Sequence, residues 1–472
     1  MKFSIIYLIG LFFGTTVLAQ NTQHKLPELK RVDAKVFYVK LEGNVSVNPV
    51  KEYKFSKNLE KGTQRIRLYG ANKFQTLEGI GGAFNEHGGE ALFKLTEKEQ
   101  AKVYNNLFGE NKSAFTFCRT AMGASDFGLD AYSYSEKEGD YEMNYFTFKR
   151  EDKFVTPYIQ GAFKVNPDLK LFASPWSPPA WMKHCKRMDI DSDENVLIND
   201  PKIYDAYAKY FMKYIQAYAE RGINVSRINI QNETDSHPSF PGCFMGPDQM
   251  AHFAKNYLIP EFGRHHLETE IYAGTFRTTY ELHSHHIMQD KDLRKVIDGV
   301  GFQYAKDFHI RDFKRLFPEV PIMHTEGKCF RGENTWEQAA TRLKEVVSYI
   351  NAGTTNYCYW NMILNETGTS AWGWKQNSLI NINRKTGEVT YNPDYAVIHL
   401  YSHFLRPGDT RIAFIGKNIT MTAVERPDGS YVALIHNGKK EAVQYHLVMD
   451  NKYDALIELP ANADCAVVVE KG

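Results

Sequence analysis

The chain has 472 residues, with 57 basic against 56 acidic side chains and 43% hydrophobic residues. A formal net charge of +1 gives no sign of a nucleic-acid or polyanion partner, and the apolar fraction excludes a disordered chain. The length exceeds the roughly 250–300 residues that one core serves, so a large domain with a smaller companion is expected.

The N-terminus comes first. Lys2 precedes an apolar run from Phe3 to Val17, then Leu18-Ala19 and the polar Gln20-Asn21. That pattern reads as a signal peptide over residues 1–19, cleaved after Ala19. The run is short for a membrane span, and no cysteine precedes Cys118, which removes a lipid anchor. The expectation is an exported chain with no stable membrane insertion after cleavage, located in the periplasm, at the cell surface or in the medium. Residues 20–74 hold strand-like stretches at 35–40 and 64–69, and are expected to form one part of a β-sandwich.

Residues 75–405 alternate between two patterns. Short apolar runs at 78–84, 115–123, 169–176, 225–233, 270–276, 300–304, 320–326 and 354–360 read as buried parallel strands. Amphipathic helices fall between them. Thr96 and Glu99 form a capping box. Residues 203–222 place Ile203, Tyr207, Tyr210, Phe211, Tyr214 and Tyr218 on one stripe ending at Gly222. Residues 335–352 open on a second box, Thr335 with Gln338. Eight alternations predict an α/β fold, a (β/α)8 TIM barrel. The histidines His283, His285 and His286 read as a solvated helix face rather than a metal site. Residues 406–472 return to period two, with hairpin signals at Pro427-Asp428-Gly429 and Asn437-Gly438, and are expected to complete the sandwich. The six scattered cysteines have no metal-site spacing; an oxidising compartment would allow one or two disulfides, and most read as buried thiols.

Two carboxylates end expected strands: Glu233 after Gln231-Asn232 on the fourth, and Glu326 after His324-Thr325 on the seventh. Those strands face each other across a barrel mouth, where catalytic groups of this fold sit. Facing carboxylates are the apparatus of glycoside hydrolysis, retaining at roughly 5–5.5 Å and inverting at about 6.5–9.5 Å. An amide beside the acid, Asn232, suits a hydrogen bond to a sugar 2-OH.

The chain also resembles glycoside hydrolase family 30, the group of glucosylceramidases and β-1,6-glucanases. The resemblance runs from about Gly79 to Pro407. It rests on Gly79-Ile80-Gly81-Gly82-Ala83-Phe84, Arg119 through Ser125-Asp126-Phe127, Ala173-Ser174-Pro175-Trp176-Ser177-Pro178-Pro179-Ala180-Trp181-Met182-Lys183, Gln231-Asn232-Glu233, His324-Thr325-Glu326 and Tyr359-Trp360-Asn361. It implies Glu233 as acid/base, Glu326 as nucleophile, and Asn232 as the amide on the 2-OH. It further implies that Asp126, Trp176 and Trp360 clasp a glucosyl unit, and that Arg119 and Tyr304 neighbour the nucleophile. Each of these last five residues also has a plain structural reading as core ring or ion-pair member. Two segments depart from the glucosylceramidase pattern: Asn85-Glu86, where Thr-Asp is expected, and Gly373-Trp374-Lys375-Gln376-Asn377.

The function expected is therefore a retaining hydrolase of β-glucosides working without cofactor or metal, with endo-β-1,6-glucanase first and glucosylceramidase or exo-β-glucosidase second. The rival class, a non-catalytic glycan-binding protein, usually lacks one carboxylate, and both are present here.

Overall fold

The computed structural model describes residues 32–42, 48–54, 64–278 and 282–471. The expected signal peptide lies outside them. Eight parallel strands stand in chain order: β1 (Gly79–Phe84), β2 (Phe117–Met122), β3 (Lys170–Pro175), β4 (Val225–Asn229), β5 (Glu270–Phe276), β6 (Gly299–Gln303), β7 (Ile322–Glu326) and β8 (Asn356–Asn361). Each falls on one of the eight apolar runs. The sheet closes because Thr355 N donates to Ile322 O and Gly327 N to Cys358 O, joining β7 to β8. Every residue of β1, β2, β6, β7 and β8 is buried. Strands covered on both faces carry unbroken apolar runs, which is why period two is absent here. In β1, Gly81 lets β2 approach, since a Cβ there would strike the Phe117 carbonyl.

The helices follow their caps. The Thr96/Glu99 box opens helix Glu97–Phe108. Helix Pro201–Ala219 buries all six residues of its expected stripe and stops three residues before Gly222. The single helix expected over 335–352 is two. Thr335 and Gln338 cap Trp336–Ala339, and Arg342–Ala352 follows. Between them Thr341 turns its N–H (3.0 Å) and hydroxyl (2.7 Å) onto Gln338 O, a tight turn that breaks the α ladder.

Both termini build one nine-stranded sheet, mostly antiparallel, that forms the sandwich. Its side chains alternate between two cores. Along Tyr431–Asn437, residues Tyr431, Ala433 and Ile435 fill the sandwich interior, while Val432 and Leu434 join the barrel's core. Along Ala463–Lys471, Cys465, Val467 and Val469 face inward, and Ala466 and Val468 face the barrel. Period two thus docks the sandwich as well as filling it.

Three further expectations are corrected. Asn437-Gly438 is not a hairpin turn: Tyr431–Asn437 is already paired on both edges, so the chain crosses to pair Val443–Met449 with Arg65–Thr76. Asn437 Nδ2 ties that crossing by donating to the carbonyls of Glu441 and Pro460. The His283–Ile287 helix is not a solvated histidine face, since His283 and His285 are buried and His285 packs on Phe313 and His309. Glu233 lies beyond the ladder of β4, which ends at Asn229. The six cysteines are all free, five of them buried.

Candidate active site

Beyond Asn229 the chain stays tethered to its neighbours. Asn232 N donates to Pro175 O at 2.8 Å, and Glu233 N donates to Thr275 Oγ1 at 3.0 Å. Glu233 has φ +44 and Tyr304, immediately after β6, has φ +52. Left-handed backbone at two non-glycine residues is strained, and here it brings both side chains into the mouth.

Arg119 on β2 is fully buried and organises the rest. Its Nη1 donates to Glu326 Oε2 at 2.6 Å, its Nη2 to Asn232 Oδ1 at 2.8 Å, and its Nε to Ser174 Oγ at 3.0 Å. One guanidinium therefore joins the ends of β2, β3, β4 and β7. Because Asn232 Oδ1 accepts from Arg119, its Nδ2 is left to donate into the mouth. The Tyr304 hydroxyl donates to Glu326 Oε1, so both oxygens of that carboxylate are held.

Glu233 is held loosely. Arg277 Nη1 stands 3.8 Å from its Oε1, and Ser236 Oγ lies 3.4 Å from Oε2. Gln303 Nε2, at the end of β6, lies 3.4 Å from Glu233 Oε1 and 3.4 Å from Glu326 Oε2. A single amide nitrogen bridges the two carboxylates. Thr325 Oγ1 donates to Gln303 Oε1 at 3.0 Å, which fixes the amide's orientation.

Three carboxyls share this small space, and each is pushed above its ordinary range. Burial is the first cause for all of them. For Glu326 the Arg119 charge pulls down, the Glu233 charge pushes up, and the Tyr304 hydrogen bond pulls down. For Glu233 the Arg277 charge pulls down and Asp235 pushes up. Asp126, after β2, is raised by burial and then by both glutamates, with the Trp360 N–H opposing. The pair cannot both ionise cheaply, and the stronger donors all sit on Glu326. Those donors favour the charge on Glu326, although burial still raises its carboxyl to about 7.

Trp176 and Trp360 stack on each other at 5.0 Å, and Arg119 lies over the Trp176 ring at 4.4 Å. Both indoles are buried. Each covers one face of the other, and together they form a wall of the mouth beside Arg119. Gln303, Arg277 and Thr275 were not marked by the sequence, and Ser174 only as part of the Ser174-Pro175-Trp176 segment, without a role. The two departing segments turn out to brace the mouth. Asn85 Oδ1 caps helix Glu86–Leu92, and its Nδ2 donates to Asn361 Oδ1 at 2.9 Å. Asn361 Nδ2 donates to Gln376 Oε1 at 2.7 Å.

Comparison with known proteins now adds to this geometry. Residues 77–405 match the model of the glycosyl hydrolase family 30 TIM-barrel domain. The chain belongs to glycoside hydrolase family 30. As a family 30 member it is a glycoside hydrolase acting on glycans. Among its relatives is a putative glucosylceramidase 1 of Caenorhabditis elegans, 26% identical over 84% of this chain and 80% of the relative. An endo-1,6-β-D-glucanase of Trichoderma harzianum is 24% identical over 82% of this chain and 83% of its own. A solved structure of an endo-β1,6-glucanase superimposes with a TM-score of 0.83 at 22% identity, covering 92% of this chain and 99% of that one. The fold is thus that of family 30 enzymes.

Proposed function

We propose that this enzyme cleaves β-1,6-glucan internally with retention of configuration, using Glu326 as nucleophile and Glu233 as general acid/base. The observation that carries the reading is the unequal holding of two carboxylates bridged by one amide. Glu326 is gripped by Arg119 and Tyr304, whereas Glu233 is loosely bonded and able to keep a proton. A shared amide nitrogen favours the shorter separation, roughly 5–5.5 Å, of retaining pairs.

Glu326 attacks the anomeric carbon while Glu233 passes its proton to the leaving oxygen. Forming the glycosyl ester removes the charge on Glu326, which lowers the proton affinity of Glu233. Glu233 then deprotonates the water that hydrolyses the ester. Asn232 Nδ2 donates to the 2-OH, a bond that strengthens as the oxocarbenium-like charge grows. Asp126 and the Trp176–Trp360 wall bound the glucosyl unit.

A polysaccharide suits the mouth better than a lipid. The loop between β3 and helix Pro201–Ala219 exposes Asp191, Asp193 and Glu194, and a hydrated glycan tolerates such a rim where a ceramide chain does not. The N-terminal signal pattern supports export of the enzyme. No helix among the described residues is long and apolar enough to cross a membrane.

A timed digest of linear β-1,6-glucan by the mature protein, with products separated by size, tests the substrate. A ladder of short oligosaccharides supports the endo-glucanase. No release, with turnover of glucosylceramide or an aryl β-glucoside, transfers the same carboxylate pair to the glucosidase branch.

A further inference from the structure

A groove of about 600 Å³ opens beside Tyr304, on the β6–β7 side of the barrel mouth. In the closed sheet, β6 and β7 stand across from β2 and β3, the strands whose ends carry Asp126 and Trp176. If that wall holds the sugar being transferred, the groove receives the leaving-group side of the substrate. The inference therefore rests on the function proposed above.

The groove's charges do not balance. Lys306, Lys328, Arg331 and Lys344 line it, and among the described residues none of the four forms an ion pair. The two carboxylates that share the wall have cation partners outside the four: Asp307 pairs with Arg311 at 2.9 Å, and Glu345 with Arg342 at 2.9 Å, an arginine that also holds Asp394 at 3.0 Å. The helices Asp307–Leu316 and Arg342–Ala352 both begin at this wall, and neither has a side-chain N-cap. Their N-termini add positive potential to that of the four cations. Nor is this a generally basic protein, for the whole chain carries a formal charge of only +1. Arg331 has φ +80, a strained conformation for arginine. The neighbouring Phe330 packs on the Tyr304 ring at 5.5 Å, which joins this loop to the partner of Glu326.

We propose that the groove binds an anionic substituent, a carboxylate or phosphate, carried on the leaving-group side of the substrate glycan. Four like charges around one concavity repel each other, and an anion seated among them relieves that repulsion. Arg331 supplies a planar fork that fits either group, and the lysines supply point charges.

The test uses a linear β-1,6-linked glucotriose prepared in three forms: the reducing end reduced to a neutral alditol, oxidised to an aldonate, or phosphorylated. At low salt the wild-type enzyme should cleave an anionic form with kcat/KM about tenfold above the alditol, the sum of several exposed charge contacts. Salt near 0.5 M, roughly, should erase the advantage. The triple variant Lys328→Gln, Arg331→Gln, Lys344→Gln should lose the preference while cleaving the alditol at the wild-type rate, which also shows that it folds. Equal kcat/KM for all three forms in wild type overturns the proposal. If none of them is cleaved, the glucanase reading fails by itself. Calorimetric binding of the three forms to the intact protein then decides: tighter binding of an anionic form supports the groove, and equal binding overturns it.

Discussion

Arg119 Nη1 stands 2.6 Å from Glu326 Oε2, and neither side chain has appreciable contact with bulk water. A buried ion pair of this kind costs desolvation on both partners, and here the remaining donors of the guanidinium are spent on Thr325 O, Asn232 and Ser174. The pair thus couples the charge of one carboxylate to the orientation of the amide beside the other.

That coupling predicts the effect of Arg119→Lys. Lysine keeps the charge but cannot reach Glu326, Asn232 and Ser174 together. The kcat/KM should fall by about 10²–10³-fold, the scale of losing one preorganised contact. Weaker stabilisation of the Glu326 anion raises its pKa, so the acidic limb of the pH–rate profile should move to higher pH. An acidic limb that stays in place would remove Arg119 from the control of Glu326.

Glu326→Ala should lower turnover by at least about 10⁴-fold while leaving room for a small anion. Azide or formate should restore activity by attacking the anomeric carbon from the vacated side, giving a product of inverted configuration. Proton NMR of the glycosyl azide reads the outcome directly. Rescue with unchanged configuration would show that Glu326 is not the nucleophile.

Arg277 holds the pKa of Glu233 down by its charge, against the larger effect of burial. Arg277→Gln removes that charge, so the Glu233 pKa should rise further. The acid then stays protonated to higher pH, and the alkaline limb of kcat/KM should shift upward. The acidic limb, set by Glu326, should move little. A downward shift of the alkaline limb would contradict the assignment of Glu233 as the proton donor.

Much of this site is legible in the sequence. The eight barrel strands stood out because burial on both faces leaves continuous apolar runs. Glu233 and Glu326 stood out because each ends such a run. Gln303 was not legible: it bridges residues 70 and 23 positions away, and a glutamine at a strand end carries no local pattern. Arg277 was hidden likewise, since its partners Glu233 and Asp235 belong to a different βα loop. The crossing at Asn437-Gly438 was misread because turn chemistry is local, whereas the partners of Tyr431–Asn437 come from residues 420–425 and 463–471. A hairpin turn does occur further along, at 450–452, where Asp450 and Asn451 have positive φ and Met449 pairs with Tyr453.

Outside the mouth, Glu151 begins helix Glu151–Val165 and is buried under the aromatic residues of helix Pro201–Ala219. Tyr218 OH donates to it at 2.6 Å and Tyr132 OH at 2.8 Å. Burial raises its pKa to about 7, and the tyrosine hydrogen bonds only partly offset this. The folded protein therefore binds this proton more tightly than the unfolded chain. The stabilisation from Glu151 is fully present below the unfolded value, near 4.5, and is lost as pH rises through about 7. Up to about 3 kcal/mol depends on that window. Glu151→Gln keeps the shape and hydrogen bonding without a titrating group. Denaturant unfolding from pH 5 to 8 should show wild type losing stability across the range, with the variant flatter and the more stable of the two at pH 8. Parallel curves for the two proteins would mean that Glu151 keeps an ordinary carboxylate pKa in the fold.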